Sequence, residues 1–339
     1  MKSVISILAG ACLTIAAGSA SFAADVLQVT SSSMGTSNAA SVVAKQLGFF
    51  DEAGLDVTLL NAGGGNNAVS TVVGGSAQIA IVGINNASKP AEKGQPLTLV
   101  AGVTKGFGQV IFVRKDLYDK SGLTENSSLA EKGAFLKGKT IAVNDVGGSS
   151  GNFARYVLKE SGLTDRDASI ININSDAARL TALKNKSIDG IVASSPDPEI
   201  AIAGGYGTVL VNPQHDIPSL GQFVSTINVV RSDYLAEHRD VIERFLRAEE
   251  RGRRYVLAHP DEARTAFYAF IQSQSSAPSK DDDEVTKLAW SNFLGQFVDT
   301  PVISQAQYAG AQKFFGISES LTFDKFIDTS LAQKIAAEK

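Results

Sequence analysis

The chain has 339 residues, with 31 Lys and Arg against 35 Asp and Glu and a formal net charge of −4. That mild acidity is spread along the sequence, which excludes the basic footprint of a nucleic-acid binder. One Cys and three His leave no disulfide framework and argue against a zinc or haem site, so no metal or cofactor is expected.

Residues 1–23 read as a secretory leader. Lys2 supplies the positive start, and Val4 to Ala17 is an apolar core too short to span a bilayer comfortably. Ser21-Phe22-Ala23 puts small residues where a signal peptidase reads, so cleavage is expected before Ala24. The mature protein is then periplasmic and loses Cys12, its sole cysteine. No later segment reads as transmembrane. A chain this long buries ample core without staples and suggests two lobes.

Val26 to Thr30 predicts a first strand, followed by a polar loop, Ser31 to Ser37, and a helix from Ala39 to Leu47 that ends at Gly48. Phe49 and Phe50 are expected in the core, ahead of a strand at Leu55 to Leu60. Gly63-Gly-Gly-Asn-Asn67 is a flexible loop without dinucleotide-fingerprint spacing. A short helix (Ala68 to Val73), a strand (Gln78 to Val82), the loop Gly83-Ile-Asn-Asn86 and a helix to Lys93 follow. Leu97 to Val100 and Gln109 to Val113 read as strands on either side of the loop Lys105-Gly-Phe-Gly108. Alternating strands and helices predict a doubly wound α/β sheet, whose ligands bind at the carboxyl ends of strands. Lys105 is the one cation in a predicted cleft loop.

A second lobe is expected from near Arg114. Its central feature is the stretch from Ile141 to Gly162. Ile141-Ala-Val143 reads as a buried strand, Gly147 to Gly151 as a Gly/Ser loop, and Phe153, Ala154, Val157 and Leu158 recur at helical spacing. A helix opening on such a loop offers unpaired N–H groups at its positive end, suited to an anion or a polar small molecule. The same serines would equally serve as an ordinary cap. Gly147-x-Ser149-x-Gly151 also matches a nucleophile elbow, which makes an exported serine hydrolase using Ser149 the alternative reading. Asp145 and Val146 set the serine back from the strand tip, and a triad would have to draw on His215, His238 or His259.

Ile170 to Ile173 and Ile188 to Ala193 are the next strands, with Ser175 or Asp176 capping a helix at Ala177 to Leu183 and Ser194-Ser-Pro-Asp-Pro198 closing the second strand. Thr208 to Val211 completes this sheet. Phe223 to Val230 is a plausible counterpart to Gln109–Val113, the two strands carrying the chain between lobes. The remainder is helical, including Val241 to Ala258 and Ser304 to Phe315, with Asp281-Asp-Asp-Glu284 as a solvated helix start.

These residues resemble a family. Lys45-x-x-Gly48-Phe-Phe-x-x-x-Gly54-Leu-x-Val57 looks like the opening of type II periplasmic binding proteins, in the branch of nitrate, alkanesulfonate, taurine and thiamine-precursor uptake. Gly138-Lys-Thr-Ile-Ala-Val143, Ala182-Leu-x-x-x-x-Ile188-Asp-Gly190, Val229 to His238 and Ile303-Ser-Gln-Ala-Gln-Tyr308 agree in order. The resemblance implies two doubly wound α/β lobes joined by two crossing strands, with a helical C-terminal part. The lobes are expected at 24–113 plus 228–339 and at 114–227. It further implies a monomer that captures a sulfonate, nitrate, carboxylate or pyrimidine-like solute in the cleft, without catalysis, and delivers it to an ABC permease and its ATPase. Carried over residue by residue, the ligand contacts are Met34, Gly35, Thr36, Ser37, Gly64, Gly65, Asn85, Asn86, Ser149, Ser150, Asn152, Asp176 and Ser194. Asn85-Asn86 replaces a Ser/Thr pair common in the family, and Ser194 stands near a position where sulfonate-type members carry an aromatic residue. Both departures put a sulfonate in doubt.

Overall fold

The computed structural model describes residues 24–217, 220, 223–274 and 283–338. The expected leader and the start of the acidic run, Asp281 and Asp282, lie outside the described residues.

Two five-stranded sheets form the two lobes among the described residues. In the first, β2 (Leu55–Asn61), β1 (Asp25–Ser31) and β3 (Ile79–Gly83) run parallel. β10 (Val224–Arg231) lies antiparallel between β3 and β4 (Leu97–Lys105), giving the order β2-β1-β3-β10-β4. The second sheet repeats this plan as β7-β6-β8-β5-β9. Here β7 (Ser169–Asn172), β6 (Thr140–Val143) and β8 (Gly190–Ala193) are parallel. β5 (Val110–Arg114) is antiparallel to β8 and to β9 (Gly207–Val211). In each sheet the antiparallel inner strand is the one through which the chain enters from the other lobe.

Burial follows strand position. The edge strand β2 alternates, with Leu55, Val57 and Leu59 inward and Asp56, Thr58 and Leu60 outward. The inner strand β3 is buried on both faces from Ile79 to Val82, as helix-covered parallel sheets require. The helix Arg239–Ala258 packs on the helix Ala39–Gln46, and its Phe245 stacks on Phe50 with ring centroids 5.1 Å apart.

The strand expected at Gln109–Val113 forms, but it pairs in the second sheet and not the first. Likewise β10 belongs to the first sheet from Val224 onward. The crossings therefore fall between Lys105 and Val110 and between Val211 and Val224. Those crossings are packed by rings. Phe107 lies 4.6 Å from Phe153 and 5.9 Å from Phe314 between centroids, and Phe223 stacks on Phe314 at 5.4 Å. Phe314 and Phe315 end the helix Gln305–Phe315, so the C-terminal part pins both crossings.

β4 runs further than the sequence pattern indicates. It continues to Lys105 because β10 pairs with it as far as Val224. Lys105 is thus the end of a strand, and its Nζ lies 2.7 Å from Asp299 Oδ1.

Candidate functional site

The polar loops that follow β1, β3, β6 and β8 converge between the sheets, at the carboxyl ends of the parallel strands. They enclose a space of about 760 Å³, counting its open mouth. The first lobe contributes Thr36, Ser37, Gly65 and Asn86 to its walls, and the second Ser149, Ser150 and Ser194. Ile81, Val82, Phe107 and Phe315 give it apolar surface.

Sequence and geometry part company over the other candidates. Gly35 and Gly64 support the lining loops, and a side-chain carbon on Gly35 would come within 3.1 Å of Ser194 Oγ across the gap. Met34 packs against the first-lobe core. Asn152 is in the first turns of the helix Ser149–Glu160, where its Oδ1 accepts from Arg155 at 3.4 Å. Asp176 pairs with Arg179, and Ser175 makes the cap by accepting from Ala178 N at 3.3 Å. None of these, nor Lys105, lines the space.

Asn85 holds the lobes together behind the wall. It is 1% exposed, and Ser149 Oγ donates to its Oδ1 at 2.5 Å. Its Nδ2 has no partner, and neither does the buried Oε1 of Gln109, a lining residue that pattern reading treated as the start of a strand. A β-carbon on Gly83, two residues before Asn85, would collide with Ser149 Oγ, so that hydroxyl would have to turn away from Asn85.

Asp145 is the residue that sequence reasoning passed over. It lines the space from the second lobe and accepts from Asn66 N at 2.9 Å and Asn66 Nδ2 at 3.1 Å, both in the first lobe. Gly147 N also donates to it at 2.9 Å. Asn86 Nδ2 extends the chain by donating to Asn66 Oδ1 at 3.1 Å. The available signal was its position, two residues after the end of β6 and facing a known binding edge. On the opposite side of the cleft, Thr36 Oγ1 donates to Ser195 O at 3.4 Å, and Asn292 Nδ2 to Glu199 Oε1 at 3.3 Å. The lobes are therefore joined by hydrogen bonds at both ends of the space, the geometry of a closed cleft.

Behind Ser195 lies a buried charged group. Ser195 Oγ donates to Glu199 Oε1 at 2.8 Å, and Arg179 sits 3.7 Å from Asp197. Burial, reinforced by Asp176, pushes the Asp197 carboxyl well above the usual range despite Arg179.

Catalytic geometry is not assembled around Ser149. No histidine lines the space among the described residues. His215 Nδ1 lies 2.8 Å from Asp216, while His238 and His259 flank the helix Arg239–Ala258 and stack on Tyr234 and Tyr255. Ser149 Oγ faces an amide oxygen, which can hold its proton in place but cannot remove it.

A family model described as NMT1/THI5 like matches residues 36–263. Among solved structures, a protein of Bordetella bronchiseptica RB50 superposes with a TM-score of 0.77 at 20% identity, covering 91% of this chain and 96% of that one. The alkanesulfonate-binding protein SsuA of Xanthomonas axonopodis pv. citri, bound to MOPS, gives 0.69 at 16% identity, covering 90% and 98%. The periplasmic nitrate-binding protein NrtA of Synechocystis PCC 6803 gives 0.68 at 18%, covering 92% and 88%.

Proposed function

The chain belongs to the NMT1/THI5-like family, and from that premise we propose that it is the substrate-binding component of an ABC import system. It works as a monomer in the periplasm, captures a small polar organic solute between its lobes, and hands it to a membrane permease served by an ATPase. It has no catalytic step. The observation that carries this reading is the interlobe space itself, walled by hydroxyl and amide groups drawn from both lobes. A solute seated there touches both sheets, so its binding energy opposes separation of the lobes.

Micromolar capture takes about 8 kcal/mol. No single contact in the cleft supplies that, since a neutral hydrogen bond contributes about 1 kcal/mol net. Several loops converging on one solute, with apolar contact against Phe107 and Phe315, reach it together.

A thermal-shift screen of the mature chain tests the reading. The panel would hold sulfonates, nitrate, aromatic carboxylates, pyrimidines and amides. A bound solute at a hundredfold its dissociation constant adds about 2.7 kcal/mol of stability. An upward shift without chemical change of the solute is the expected result. Ester turnover that Ser149→Ala abolishes, with no stabilisation by any solute, would overturn it.

A further inference from the structure

The cleft offers an anion no positive side chain. Among its described lining residues there is no Lys, Arg or His, and the only ionisable group is the carboxyl of Asp145. Two cations beside the lining loops are committed elsewhere: Lys105 to Asp299 at 2.7 Å, and Arg155 to Asp165 at 2.9 Å and to Val146 O at 2.7 Å.

What remains for an anion is the positive ends of two helices that open at the cleft, Gly65–Val73 and Ser149–Glu160. The first begins at the lining residue Gly65, and its second residue, Asn66, carries one of the N–H groups that no carbonyl of the helix accepts. That N–H is taken. Asp145 Oδ2 accepts from it at 2.9 Å, while Oδ1 accepts from Gly147 N at 2.9 Å and Asn66 Nδ2 at 3.1 Å. A carboxylate of the protein's own thus takes a donor at the first helix and, through Gly147 N, stands at the mouth of the second. A second anion entering the same space would meet like charge in a setting partly shielded from water.

The polar groups left over are neutral and of both kinds. Asn85 Nδ2, just behind the wall on the amide bonded to the lining residue Ser149, is a buried donor with no partner. Gln109 Oε1 is a buried acceptor with no partner. A carboxylate or sulfonate can only accept, so it would leave Gln109 Oε1 unpaired. A carboxamide, lactam or urea both donates and accepts, and its apolar body suits Ile81, Val82, Phe107 and Phe315.

We infer that the cleft selects an uncharged solute bearing both a donor and an acceptor, and that Asp145 is the specificity-determining residue that turns anions away. The inference rests on the solute-binding reading above and narrows it to one charge class.

Isothermal titration of the mature wild-type chain with matched pairs tests it: nicotinamide against nicotinate, uracil against orotate, methanesulfonamide against methanesulfonate. The uncharged member of at least one pair should bind, with its anionic partner weaker by roughly tenfold or more. Asp145→Asn, which keeps the shape and removes the charge, should narrow that gap, and Lys105→Ala should leave it unchanged. If Asp145→Asn does not fold, the wild-type preference alone decides. An anion bound as tightly as its neutral partner, or tighter, overturns the charge inference and leaves the solute-binding reading standing. Binding of no member of any pair overturns both.

Discussion

Asn66 and Asp145 meet across the cleft through two hydrogen bonds, from the Asn66 backbone N–H at 2.9 Å and from its side-chain amide at 3.1 Å. One residue opens a first-lobe helix and the other follows a second-lobe strand, so the pair exists only when the lobes are together.

Removing either partner should therefore favour the open state. Asn66→Ala and Asp145→Ala, and the pair combined, should each raise the radius of gyration of the solute-free chain in small-angle scattering. The double variant should show a coupling of about 1 kcal/mol, since the bonds are charge-assisted but solvent-exposed. Strict additivity would mean that the Asn66 side chain adds nothing to a contact whose backbone bond survives in Asn66→Ala.

Ser149 is a wall group with a structural debt to Asn85, whose Oδ1 it satisfies at 2.5 Å. Ser149→Ala leaves a buried amide with neither end paired, because Asn85 Nδ2 already lacks a partner. Solute affinity should fall by about tenfold, in line with ~1–3 kcal/mol for an unsatisfied buried group. Titration calorimetry measures this directly, and unchanged affinity would remove Ser149 from the site.

Gly83→Ala places a methyl group on Ser149 Oγ. The two loops belong to different lobes, so the clash is relieved by turning the Ser149 hydroxyl out of its bond to Asn85 or by parting the lobes, and either loosens the wall. Solute binding should weaken by an order of magnitude or more, while the melting temperature of the solute-free chain changes little. A large loss of solute-free stability would instead put the strain inside the first lobe.

Glu249 gives the fold a pH dependence. It is buried, accepts from Ser41 Oγ and from Asn228 Nδ2 at 2.5 Å, and burial raises its carboxyl to about 7. Glu250 beside it adds to the rise, and Arg253 shares its pocket. A folded-state value above the unfolded one means that the native protein holds the proton longer. Stability from this group is thus present below about 4.5 and is lost as pH rises through about 7. The full effect is about 3 kcal/mol, as an order of magnitude. Urea unfolding of Glu249→Gln at pH 5 and pH 8 should show the variant gaining on the wild type only at the higher pH.

Phe153 is fully buried against Phe107. Phe153→Ala should cost about 3–5 kcal/mol in urea unfolding, the range for a large core aromatic. A cost below ~1 kcal/mol would show that the crossing is not a packed core.

Local patterns carried most of the fold. The alternation in β2 and the strand, Gly/Ser loop and helix at 141–162 are set by neighbours in sequence, and they appear where periodicity places them. Partner choice is not local. The pattern Val110 to Val113 is that of a strand, but only tertiary pairing with β8 and β9 assigns it to the second sheet. The site divides the same way. Thr36, Ser37, Asn86, Ser149, Ser150 and Ser194 were legible as loop residues at strand ends. Lys105 was attractive for its charge, and Asp299, 194 positions away, claims it. Asp145 was weighed only as a spacer that moved Ser149 off the strand tip. Its role depends on Asn66, 79 residues earlier, which no local pattern connects to it.

The rings at the crossings bring one more property. Phe107 and Phe315 belong to the cavity wall and also to the aromatic packing around the two connections. The packing at the two connections is therefore also one side of the chamber. If the lobes move as the proposed function requires, a solute pressed against Phe107 would bear on the interlobe connections at first contact, without a relay through either sheet.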